Sequence, residues 1–96
     1  MARSLEVMRA LIDEVDRDLV ECLARRLRLA REVGEYKAGC GLLARDAERE
    51  EQMVQRREIF ARAFEIPAVL VEGVFGVILE HGREAQAAAP VGTNES

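Results

Sequence analysis

The chain has 96 residues, 49% hydrophobic and 33% charged, and 14 basic against 18 acidic side chains leave a formal charge of −4, the profile expected of one small domain and no second. A pI near 5.1 argues against nucleic acid or an anionic membrane as partner. No apolar run approaches the roughly 20 residues of a membrane span, and the opening MARSLEVMRA lacks a signal-peptide core, so a cytoplasmic location is expected.

From Ser4 to Ala38 the sequence contains no Pro and one Gly and is dominated by Leu, Ala, Arg and Glu, which predicts a long first helix. Gly39-Cys40-Gly41 ends it, and a loop runs to Arg45. Asp46 is placed as N-cap of a second helix, with Glu48 and Glu50 in its first turn and an end near Phe64. After Glu65-Ile66-Pro67, a third helix with Pro67 in its first turn carries Leu70, Val71, Val74, Phe75, Ile78 and Leu79 to about Gln86. No segment alternates with period two, so the fold class is all-α: a helical domain over residues 1–86 and a disordered tail over 87–96. Cys22 and Cys40 have no metal-ligand spacing and are expected as reduced thiols.

The length of the first helix bears on assembly. A helix from Ser4 to Ala38 reaches roughly 50 Å, against about 32 Å for the diameter of a compact chain of this size. Its apolar stripe must be buried along its whole length, and a second copy of the chain is the simplest cover. An intertwined homodimer is therefore expected. A monomeric bundle would require a kink or fraying, with Gly34 as the candidate hinge.

Projected at about 100° per residue, Leu5, Met8, Ile12, Val15, Leu19, Leu23, Ala30 and Val33 form one sector. Most charged residues of the helix fall outside it. Arg26 and Lys37, the latter the only lysine in the chain, fall in its middle, about 16 Å apart along the axis. Arg9 lies at the stripe's edge, too far from Arg26 to share a site in one chain but within reach of a partner's. A buried cation costs several kcal/mol unless paired with an anion. Either residue alone is explained by a stem packed on the core with its head in water or paired with a helix-two carboxylate; two on one stripe make an anion site inside the bundle an equal alternative. Arg49 and Glu50 flank the apolar face of Met53, Phe60 and Phe64 on the second helix. Gln86 and Gly82 project into the apolar sector of the third, while Glu72, Glu80, Arg83 and Glu84 face away from it. Taken alone, Gln86 is better accounted for by a frayed helix end. His81, the only histidine, is assigned a structural or surface role. No nucleophilic arrangement, metal cluster, cofactor pattern or phosphate loop accompanies these residues. The set suits a small polycarboxylate and a reaction needing orientation and charge stabilisation.

Met8-Arg9, Ile12, Val15-Asp16, Leu23-Ala24-Arg25-Arg26, Val33-Gly34-Glu35-Tyr36-Lys37, Arg45-Asp46-Ala47-Glu48-Arg49-Glu50 and Val77-Ile78-Leu79-Glu80 leading to Gln86 together strongly resemble the all-helical class of chorismate mutases, over about residues 5 to 86. The resemblance implies an intertwined dimer of three-helix chains that converts chorismate to prephenate, the branch step toward phenylalanine and tyrosine, without a cofactor. It implies that Arg26 and a partner's Arg9 clamp carboxylates and that Arg49 adds charge on the ring side. Lys37 and Gln86 would donate to the ether oxygen, and Asp46 (backbone) and Glu50 (side chain) would hold the ring hydroxyl. Val33 and Leu79 would form apolar walls. Gly82 departs from the pattern, since some family members have a serine there whose hydroxyl lies near the ring carboxylate. Isochorismate-pyruvate lyases and 4-amino-4-deoxychorismate mutases use nearly the same scaffold and remain open alternatives, as does a non-catalytic helical dimerisation module, in which Arg26 and Lys37 would be replaceable by Leu or Met.

Overall fold

The computed structural model describes residues 2–41 and 47–88. They form three helices, α1 (Leu5–Cys40), α2 (Ala47–Ala63) and α3 (Ala68–Ala87). The expected Asp46 cap, the loop before it and nearly all of the expected tail lie outside the described residues.

Helix α1 begins where the Ser4 side chain accepts a hydrogen bond from the Val7 N–H at 3.1 Å, satisfying one of the orphan donors of the first turn. It runs unbroken through Gly34 for 36 residues and stops at Gly41, whose φ of 69° is the left-handed conformation that favours glycine. The candidate hinge at Gly34 is thus helical. Helix α2 ends in a turn in which the Ile66 N–H donates to the Ala61 carbonyl at 3.0 Å and the Glu65 N–H to the Arg62 carbonyl at 3.3 Å, the Schellman arrangement. Here the left-handed residue is Glu65, at φ 56°. Pro67 precedes α3 as its N-cap instead of occupying its first turn, and has no side-chain cap to give; its carbonyl accepts from the Leu70 and Val71 N–H groups.

Helix α3 packs against both α1 and α2, and no close backbone approach joins α1 to α2 among the described residues. The buried positions are small ones: Ala30 and Gly34 on α1, Ala61 on α2, Gly82 on α3, with Arg57 of α2 the buried charged residue among those described. The absent or minimal side chains let the helices approach closely. Only Ala30 and Ala61 are buried apolar residues among those described, and Leu5, Met8, Ile12, Val15 and Leu19 of α1 all lie exposed. The molecule measures 58 × 32 × 16 Å with a radius of gyration of 17.5 Å, against about 12 to 13 Å for a closed domain of this length. The apolar stripe thus overhangs the contacts within the chain, as the helix-length estimate anticipates. No described helix is long and apolar enough to cross a membrane.

Candidate active site

The crossing of α1 and α3 is set by Gly34. A Cβ at this position would fall 2.5 Å from the Gln86 carbonyl oxygen and 2.6 Å from its Cα, so the two backbones meet in a way no side chain would permit. Lys37 lies one turn beyond Gly34 on α1 and Arg26 two turns before it, and Gly82 lies one turn before Gln86 on α3. The close crossing therefore gathers both polar sets on one side.

They open onto a cavity of about 230 Å³ lined by Arg26, Lys37, Arg49, Glu50, Met53, Val54, Arg57, Leu79, Gly82, Arg83 and Gln86. Six of the residues singled out from the sequence, Arg26, Lys37, Arg49, Glu50, Gly82 and Gln86, thus share one cavity, with Leu79 among its apolar walls. Lys37, Glu50 and Gln86 are half-buried. Arg9 is exposed on the N-terminal part of α1 and does not line this chain's cavity. Val33 is exposed and does not line it either. His81 is exposed, beside Glu84 on the next turn.

Two charged residues differ from the helical projection. Glu72, expected to face away, receives a two-pronged grip from Arg57: Nε donates to Oε2 at 2.8 Å and Nη2 to Oε1 at 3.1 Å. Because α3 touches α1 and α2 on different sides, its contact sector is wider than the apolar one, and Glu72 falls within it. Arg83 likewise lines the cavity. The sequence pattern marks Arg57 as well. It lies four residues after Met53 and three before Phe60, so the projection that identifies Arg26 and Lys37 also places Arg57 in the apolar face of α2.

The site carries an excess of positive charge. Arg26, Lys37, Arg49, Arg57 and Arg83 face the single lining carboxylate of Glu50 among the described residues. The Cζ atoms of Arg26 and Arg57 lie 5.8 and 5.2 Å from the centre of the same Phe75 ring, near enough for cation–π attraction. Burial holds the Arg26 guanidinium below its ordinary pKa, and the positive charges of Arg57 and Arg49 lower it further. Arg57 is shifted the other way by its hydrogen bonds to Glu72, which in turn depress the Glu72 carboxyl. Such a pocket favours an anion, because bound carboxylates would offset both the desolvation and the mutual repulsion of the guanidinium groups.

Residues 8–87 match the model of one protein family, described as chorismate mutase type II. The chain belongs to that family. A T-protein of Enterobacter agglomerans is 42% identical over 74 residues, which make up 77% of this chain and 20% of the relative. A T-protein of Haemophilus influenzae is 39% identical over 71 residues, 74% of this chain and 19% of the relative. A chorismate mutase of Methanocaldococcus jannaschii is 28% identical over 86 residues, 90% of this chain and 87% of that protein. The chain therefore spans about a fifth of the length of the T-proteins it matches. Membership of the chorismate mutase type II family accounts for the all-helical fold.

Proposed function

We propose that this chain binds chorismate and converts it to prephenate, in the biosynthesis of aromatic amino acids, by electrostatic preorganisation. The observation that carries this reading is the convergence of Arg26, Lys37, Arg49, Glu50 and Gln86 on one cavity in a chain of this family. The reaction is internal to one dianion: a C–O bond breaks as a C–C bond forms, and no proton need move. The protein's part is to hold the compact reactive conformer and to stabilise negative charge as it grows on the ether oxygen. In this scheme Arg26 and Arg9 of a second chain hold carboxylates, Arg49 adds charge on the ring side, Lys37 and Gln86 donate to the ether oxygen, and Glu50 accepts from the ring hydroxyl. The same scheme uses two chains. The exposed stripe of Leu5, Met8, Ile12, Val15 and Leu19 packs against a second copy, which brings Arg9 of one protomer to the cavity of its partner.

Purified protein mixed with chorismate tests the reading, with loss of substrate absorbance followed and prephenate and pyruvate assayed as products. Prephenate formation supports it and the absence of turnover overturns it, while faster release of pyruvate from isochorismate assigns a lyase instead. Lys37→Ala is expected to lower kcat by at least about 10²-fold, the usual cost of losing one donor to a developing oxyanion. Sedimentation is expected to give twice the 10.7 kDa chain mass; a folded monomer at micromolar concentration overturns the shared site.

A further inference from the structure

Arg57 has no part in the scheme above, yet it is the buried charged residue of α2, with a side chain only 8% exposed. Its Nε and Nη2 are committed to Glu72, while Nη1 has no hydrogen-bond acceptor among the described residues. A guanidinium carries five N–H donors, so the Glu72 fork fixes one edge and leaves the other open to a further acceptor. Glu72 does not line the cavity, whereas Arg57 does, and the Glu72 side chain is 44% exposed. The carboxylate therefore orients the guanidinium from outside the site without occupying the space a ligand would take. Phe75 completes the mount, lying under both Arg57 and Arg26, so that two guanidinium groups are held on one ring beside one cavity.

We propose that Arg57 is a further substrate-binding residue, whose other edge receives a carboxylate of the dianionic substrate, and that Glu72 is the positioning residue that aims it. This rests on the chorismate reading, and the two are separable. A pair with Glu72 alone would be satisfied at the surface, where the guanidinium need not be buried; here Arg57 is buried while Glu72 is 44% exposed.

The test compares wild type, Arg57→Leu and Glu72→Gln for turnover of chorismate and, by calorimetry, for chorismate binding, with circular dichroism establishing that each variant is folded. Arg57→Leu is expected to raise KM and weaken binding by at least about tenfold, the usual range for a lost hydrogen bond to a charged group. Glu72→Gln, which leaves the guanidinium present but less firmly aimed, is expected to raise KM by a few-fold. Chorismate carrying one esterified carboxylate gives the readout a purely structural role would not move: for the correct ester, the penalty of Arg57→Leu disappears. If wild type turns chorismate over and folded Arg57→Leu keeps KM and affinity within twofold, the Arg57 proposal fails and the mutase reading stands. If wild type binds chorismate without turnover, the mutase reading fails, and the loss of affinity in Arg57→Leu still decides for or against Arg57. If Arg57→Leu does not fold, an unchanged KM in Glu72→Gln overturns the proposal and a raised one supports it. Wild type that neither binds nor turns over chorismate overturns both.

Discussion

Gly34 of α1 lies directly against the backbone of Gln86 of α3: a Cβ at Gly34 would stand 2.5 Å from the Gln86 carbonyl oxygen. A methyl group here meets main chain, which cannot rotate away as a side chain can. In an exposed helix the Gly34→Ala change would gain about 1 kcal/mol from propensity. At this crossing the overlap costs about 1–3 kcal/mol or more, and the net effect expected is destabilisation. Because Lys37 and Gln86, on the two crossing helices, line one cavity, kcat is expected to fall in Gly34→Ala even where the protein remains folded. Thermal unfolding and steady-state kinetics on the same preparation check both outcomes.

Gly82 presents the opposite case. A Cβ there would lie 3.3 Å from Nη1 of Arg26, and the contact is with the far end of a flexible side chain. A shift of a few tenths of an ångström relieves it, so Gly82→Ala is expected to raise stability by up to about 1 kcal/mol through helix propensity. The shift is taken by a guanidinium placed on the substrate in the proposed mechanism. Activity is therefore expected to fall while the melting temperature rises, a divergence visible when unfolding and kcat/KM are measured together.

These two glycines show how far the sequence can be followed. Helix-forming composition, the Gly41 stop and the Pro67 start place all three helices to within a few residues, because those signals are local. The inward projections of Arg26, Lys37 and Gln86 are legible for the same reason, since a helix fixes which face each residue occupies. The pairing of Arg57 with Glu72 is not local: it depends on α3 contacting α2 on a side that its apolar residues do not mark. The closeness of Gly34 to Gln86 is hidden too, since a glycine in a helical run reads equally as a hinge or a contact, and only the approach of the other backbone distinguishes them.

Glu65 adopts a φ of 56° at the end of α2, where a residue with a Cβ is strained by about 1–2 kcal/mol. Glycine removes that strain but adds freedom to the unfolded chain. Glu65→Gly is expected to stabilise by about 0.5–1 kcal/mol, read as a shift of the denaturation midpoint at unchanged slope. Glu65 does not line the cavity, so kcat and KM should be unchanged.

The hydrogen bonds from Arg57 hold the Glu72 carboxyl below its ordinary pKa of 4.5. A carboxyl with a depressed folded-state pKa contributes stability that is present in full above its unfolded-state pKa and lost as pH falls through the folded-state value. The pair should therefore stabilise the protein at neutral pH and cease to do so in acid. The shift of Arg57 is upward, so its own deprotonation lies far into the alkaline range and leaves the acid limb to Glu72. Glu72→Gln removes this titration and leaves the other carboxylates in place. The difference in melting temperature between wild type and Glu72→Gln is expected to be constant above about pH 5 and to shrink steadily below pH 4.5. High salt should reduce it only in part, because the guanidinium is buried while the Glu72 side chain is 44% exposed and open to screening. A difference that stays constant into acid, or that grows, would show that the Arg57 fork does not hold Glu72 ionised in the folded chain.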